Sequence, residues 1–286
     1  MSNVFTRSWE ITKLSFSVIR KDKKLLVMPI LSGFFSLAFM LAMLFPTLFA
    51  GLLGEDGSGF GLLIAFLTYL GLAFIAVFFN VATVYLVKKR FEGESESIWD
   101  SIGFAFSKIH LVFSWALISA IVGLLLRILQ NAARNQKGPL AIVGRLFASL
   151  LRMGWAILTL FVVPAIVYKN LGPIAAIKES AYTIKNTWGE SLIRHFGLGL
   201  MQFVFIAIGA IISIGIGFLL NLLTEYGIVI ALAIAIIYIA LTALVFTIAN
   251  TVFNTALYVY AQTGRVPSDF NENVLRNAFE KKEEDL

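Results

Sequence analysis

The chain has 286 residues, 59% of them hydrophobic and only 14% charged, with a net charge of +6 and no cysteine. Ordinary soluble domains carry roughly 45–50% apolar and 25% charged residues, so a water-soluble fold of this length has nowhere to hide so much Leu, Ile, Phe and Val. The missing cysteines exclude disulfides, thiolate nucleophiles, haem attachment through Cys and zinc–sulfur sites.

Six long apolar stretches dominate: Leu25–Leu53, Phe60–Val87, Leu111–Leu129, Leu146–Tyr168, Phe196–Leu223 and Gly227–Gln262. A bilayer core about 30 Å thick needs ~20 helical residues to cross. Four stretches exceed that without a charge; the third and fourth reach it only if Arg127 and Arg152 are tolerated near one end. The expected fold class is all-α, a polytopic membrane helix bundle of about six transmembrane helices with cytoplasmic amphipathic helices. Residues 1–262 read as one membrane domain and 263–286 as a short tail. The basic residues then sit between spans, where they set topology and meet anionic lipid headgroups, and no nucleic-acid partner is expected.

Ahead of the first span, Val4–Lys21 reads as an amphipathic helix. Glu10, Lys13, Ser17, Arg20 and Lys21 share one arc. Phe5, Trp9, Phe16 and Ile19 lie on the other, with Ser8, Thr12 and Ser15 small enough for close packing. Leu25–Leu53 far exceeds the 7–15-residue apolar core of a secretory signal and is an uncleaved span. The tip that follows, Gly54 to Gly59, carries Glu55 and Asp56 but no cation, whereas Lys88-Lys89-Arg90 closes span two. The positive-inside rule therefore places both termini in the cytoplasm of a multi-pass cell (inner) membrane protein, with the acidic tip outside.

Ile98, Ile102, Ala105 and Ile109 repeat a helical stripe, with Ser97 available as an N-cap. Five of the 23 Lys and Arg, namely Arg127, Arg134, Lys137, Arg145 and Arg152, fall at or between the outer ends of spans three and four. Three readings stay open for this candidate basic region. The arginines snorkel to headgroups, they form a vestibule for anions or lipid phosphates, or Pro139–Leu151 dips into the membrane as a re-entrant piece.

Before span five, Ile174, Ile177, Ala181, Ile184 and Trp188 step by three and four, a candidate partner-binding face. Each amphipathic helix precedes two spans, so the chain reads as three copies of helix–span–span. In span five, Gly209, Ser213 and Gly217 recur every four residues, a pattern that lets helix backbones approach closely. Another span of the same chain is the expected partner; a homo-oligomeric contact is the alternative. In span six, Thr247, Asn250, Thr251, Asn254 and Tyr258 follow helical spacing, and Asn80 and Thr83 of span two offer polar partners. These groups are either interhelical glue or the lining of a polar path. After Gln262, Gly264 and Pro267 stop the helix. Asp269 with Glu272 reads as a capping pair, and Phe270, Val274, Leu275, Ala278 and Phe279 as a small apolar face.

Catalytic and metal signals are absent from the pattern. His110 and His195 have no carboxylate one turn away, and no acidic residue falls inside a span, which argues against proton coupling. No phosphate-binding glycine loop or nucleophile elbow is present, and no cofactor is expected.

Several local motifs occur together: Ser8-Trp9 with Arg20-Lys21-Asp22-Lys23, Trp115-Ala116-Leu117-Ile118-Ser119, Gly123-Leu124-Leu125-Leu126-Arg127 and Phe161-Val162-Val163-Pro164. Leu171-Gly172-Pro173, Lys178-Glu179-Ser180-Ala181, Thr187-Trp188-Gly189-Glu190 and Phe253-Asn254-Thr255-Ala256-Leu257-Tyr258 continue the set to Tyr260-Ala261 and Thr263-Gly264. On these the chain resembles a family of prokaryotic six-span membrane proteins of unknown function. The helix before span five is also similar, more distantly, to one in membrane domains attached to glycerophosphodiesterases. The resemblance implies fold and topology and no reaction. The expectation is a non-enzymatic membrane scaffold that organises lipid or protein partners. The alternative is a passive channel or uncoupled carrier for a small neutral or anionic solute.

Overall fold

A computed structural model describes residues 4–52, 59–135, 139–188, 197–222, 224 and 226–276. Eleven α-helices and no strand occur among the described residues. They are α1 (Val4–Lys21), α2 (Val27–Leu52), α3 (Gly59–Phe91), α4 (Ile98–Ser107), α5 (Ile109–Asn135), α6 (Pro139–Leu158), α7 (Val162–Lys169), α8 (Pro173–Trp188), α9 (Gly197–Asn221), α10 (Gly227–Thr263) and α11 (Glu272–Arg276). Among the described residues six segments are long and apolar enough to cross a membrane: Lys23–Phe49, Gly59–Phe91, Ile109–Arg134, Ile142–Lys169, Met201–Asn221 and Gly227–Thr263. The element order is a shorter helix before two long segments, three times over: α1 before α2 and α3, α4 before α5 and α6–α7, α8 before α9 and α10.

Local chemistry explains the boundaries. Asp22 caps the 3-10 turn Lys23–Leu26 by accepting the Lys24 N–H at 3.1 Å. Ser97 and Asp100 form a reciprocal capping box at the start of α4. The hydrogen bonds from the Ser97 hydroxyl and N–H hold the Asp100 carboxyl below the usual carboxylate range. Asn170, at φ 54°, ends α7 in the left-handed region, and Gly264, at φ 66°, does the same for α10.

The chain divides into two compact units. One comprises residues 1–29 and 187–286. Here α9 and α10 pair closely, and α1 packs on both. Trp9 stacks on Phe205 with centroids 6.4 Å apart, and Phe16 meets Phe246 edge-on at 5.3 Å. Ser8, Thr12 and Ser15 are buried, so the small hydroxyl residues lie on the packed side of α1. The tail folds back: Phe270 lies 6.3 Å from Phe253, and Lys21 pairs with Asp269 at 2.5 Å. Asp269 is therefore not the cap of α11. Asn271 takes that place, its Oδ1 accepting the Asn273 N–H at 3.0 Å, because Asp269 is turned toward a cation from another helix. Ala278 and Phe279 lie outside the described residues.

The second unit, residues 30–186, is built around α3, which packs on α4, α5 and α7, while α5 pairs with α6. The fourth apolar segment is broken. Thr159–Phe161 form a turn between α6 and α7, because Pro164 lacks an N–H to continue the ladder. The Phe161 N–H, fully buried, donates to Ser180 Oγ of α8 at 3.0 Å. Residues of the candidate re-entrant piece lie in α6, which runs unbroken from Pro139 to Leu158.

Burial is polarised along the long helices. Among residues 228–245 of α10 only Ala231 is buried, whereas Phe246, Ile248, Ala249, Val252, Phe253, Thr255, Ala256, Leu257 and Tyr258 are all buried. In α3 the buried run is Val77–Val87, interrupted only at Asn80 and Tyr85. Each of these helices thus joins an apolar, outward-facing half to a packed half.

Candidate functional site

The polar column of α10 begins where its exposed half ends. From Gly227 to Val245 the helix rises about 28 Å, enough to cross a hydrocarbon core. Asn250, Asn254 and Tyr258 lie past that length, in the packed half. This column lies among the packed residues of α10. Its threonines turn back on their own helix: Thr247 Oγ1 donates to the Ala243 carbonyl at 2.8 Å, Thr251 to Thr247 at 3.1 Å and Thr255 to Thr251 at 2.7 Å. Asn250 and Asn254 are half-buried and Tyr258 is buried. Asn80 and Thr83 belong to the other unit, where Asn80 is half-buried and the Thr83 hydroxyl donates to the Phe79 carbonyl at 2.7 Å.

Gly209, Ser213 and Gly217 are buried on the side of α9 that meets α10. A Cβ on Gly209 would fall 1.8 Å from Tyr238 Cε1, and one on Gly217 2.8 Å from Ala231 Cβ. The Tyr238 hydroxyl donates to the Phe205 carbonyl at 3.0 Å, tying the two helices at that level.

On α8 the buried side is Ala176, Ser180, Thr183 and Ile184. The stripe read from the sequence straddles this boundary. Ile184 is only 7% exposed, Ile177 and Ala181 are half-buried, and Ile174 is 65% exposed. The Trp188 side chain lies outside the described residues. The accessible face is instead Ile174, Lys178, Tyr182 and Lys185, with the small Ala176, Ser180 and Thr183 on the buried side.

At the opposite end of the same unit lies the basic region. Arg127 Nη1 donates to Tyr69 Oη at 2.6 Å, and its guanidinium sits 5.6 Å from the Tyr69 ring centroid. A crevice of about 220 Å³ adjoins the pair, lined by Thr47 of α2, by Gly61, Ile64, Ala65 and Thr68 of α3 and by Arg127 itself. Arg152 of α6 donates to Gln130 of α5. The two helices close on each other where Gly144 meets Ala133. Arg134 and Arg145 are exposed, and Lys137 lies outside the described residues. Tyr69 was not legible as the partner of Arg127, because only the packing of α3 on α5 brings them together. Ser180 was legible as part of a motif but not as the group that satisfies a broken helix.

Among the described residues no three His, Asp or Glu side chains gather as a metal site would require. His110 opens α5, and His195 lies outside the described residues.

These features define an all-α polytopic membrane protein whose polar residues collect at helix ends. Residues 59–268 match the model of a family of unknown function (DUF6159), and the chain belongs to that family. No curated protein and no solved structure matches it.

Proposed function

We propose that this protein is a non-enzymatic scaffold of a prokaryotic cell membrane, with both termini cytoplasmic, that organises lipid headgroups or a protein partner at the bilayer surface. The observation that carries this reading is the division of the long helices into a lipid-facing half and a packed half. The packed ends are also the basic ends: Arg20, Lys21, Lys23 and Lys24 in one unit, Lys88, Lys89, Arg90, Lys169, Lys178 and Lys185 in the other. The positive-inside rule supports a cytoplasmic placement for them. Trp99 on α4 and Tyr182 on α8 are exposed there, as aromatic side chains at a headgroup layer are. The α8 face of Ile174, Lys178, Tyr182 and Lys185 is backed by a buried side that holds it rigid.

The threonine ladder weighs against a solute path along α10, since those hydroxyls donate to their own backbone. Reconstitution into liposomes tests the choice. A scaffold adds no chloride or glycerol flux over protein-free vesicles. Flux that disappears in the Asn250→Leu/Asn254→Leu variant would establish a passive carrier instead.

A further inference from the structure

We propose that Arg127, in the crevice between α2, α3 and α5, holds the phosphate of an anionic membrane lipid. This goes beyond the scaffold reading and does not rest on it, because the crevice lies at the other end of its unit from α8.

Arg127 stands eight residues before the end of α5, about 12 Å along the helix from Asn135. Its neighbours Leu124, Leu125, Leu126, Ile128 and Leu129 are apolar. A guanidinium keeps its charge in any such setting, and a charge within a span is costly enough to demand a partner. Carboxylates do not supply it from the surrounding helices: α2, α3, α5, α6 and α7 contain no Asp or Glu. The Tyr69 hydroxyl accepts from one of the five N–H donors of Arg127, whose guanidinium carbon lies 5.6 Å from the ring centroid. This orients the fork and leaves donors for a further acceptor.

The crevice wall fits that acceptor. The Thr47 and Thr68 hydroxyls donate to the Met43 and Ile64 carbonyls at 2.7 and 2.8 Å, so the guanidinium is the donor group of the site. Phe39 of α2 lies against Gly71, where any Cβ would fall within 2.1 Å of its ring, and bounds the gap between α2 and α3 two residues beyond Tyr69. Beside the lining residues Thr47 and Gly61, Leu48 and Leu62 are exposed and apolar, surfaces for acyl chains. A tetrahedral oxyanion on a planar fork is the chemistry Arg serves best. The lipid surroundings favour a phosphate that arrives with its own hydrocarbon.

The test uses the full chain in a neutral detergent, titrated with phosphatidylglycerol, phosphatidylcholine or inorganic phosphate and read by native mass spectrometry. Phosphatidylglycerol should bind in preference to phosphatidylcholine, and Arg127→Gln should weaken it roughly tenfold, the loss of a charge-assisted hydrogen bond. Arg134→Gln, outside the crevice, should change nothing. Arg127→Gln that folds and binds phosphatidylglycerol as the parent does would overturn the proposal. Should Arg127→Gln fail to fold, Arg127→Lys and Tyr69→Phe carry the test, each predicted to weaken binding several-fold and refuting the site if neither does. Inorganic phosphate that binds at millimolar concentration and displaces the lipid would overturn the lipid as the source. Glu55 and Asp56 of the tip lie outside the described residues. A tenfold rise in lipid affinity in Glu55→Gln/Asp56→Asn would show that those carboxylates hold Arg127, and would also refute it.

Discussion

The two halves of α10 have opposite surroundings. From Gly227 to Val245 its Ile, Val and Leu side chains point outward. From Phe246 to Tyr258 the apolar side chains are buried against α1 and the folded-back tail, with Asn250 and Asn254 half-buried among them. Along α3 the same contrast runs from exposed Leu62 and Leu63 to buried Val77–Val87. Apolarity therefore serves two solvents in one helix, lipid in the first half and protein in the second. Polar side chains are admitted where protein provides their hydrogen bonds.

The largest effect should come from emptying the packed half. Phe246→Ala should cost about 3–5 kcal/mol in reversible unfolding from detergent micelles, as buried aromatic truncations do. Leu241→Ala, one turn away on the exposed half, should change stability by about 0.5 kcal/mol or less. Equal losses would erase the distinction between the halves. Next, Gly209→Val drives a side chain into Tyr238 and should cost about 1–3 kcal/mol. Gly215→Ala, with open space at its Cβ, should instead stabilise α9 by up to about 1 kcal/mol. Ser180→Ala removes the hydrogen bond that the Phe161 N–H gives to Ser180 Oγ and should cost about 1 kcal/mol by the same unfolding assay.

The smallest effect concerns pH. The Asp100 carboxyl is held below its ordinary value by Ser97, so its contribution to the first turn of α4 is present above the unfolded pKa. It is lost as pH falls from about 4 through the lowered folded pKa. Amide exchange in α4, corrected for the intrinsic rate, should rise across that window and become insensitive to it in Asp100→Asn. Unchanged exchange in the parent would mean the capping box does not hold α4.

The helices themselves were legible because long apolar runs and their charged or glycine-proline ends are set by local chemistry. Gly264 stops α10 where its sequence says it should, and Ser97 caps α4 as expected. The facing of side chains was less legible. On α8 the stripe from Ile174 to Ile184 reads as one partner-binding face in the sequence, and it splits: Ile184 is buried, Ile177 and Ala181 are half-buried and Ile174 is exposed. Beside a bilayer the outside is apolar too, so Ala176, Ser180 and Thr183 took the inner side. The packed surroundings of the α10 column were hidden for a related reason. Phe246, Ile248, Val252 and Leu257 kept the run apolar past the length a membrane needs. Arg127 was visible as an oddly placed charge. Its pairing with Tyr69 depended on which helices become neighbours, and no spacing along one chain encodes that.

A chain without cysteine allows the division of α10 to be measured directly, by placing single spin labels at Ile236→Cys and Asn254→Cys in reconstituted bilayers. Relaxation by oxygen against a water-soluble nickel complex reports the depth of each label. The oxygen-to-nickel ratio should place Ile236 in hydrocarbon and Asn254 at or beyond the headgroups. Hydrocarbon depth at both positions would contradict the two-solvent division.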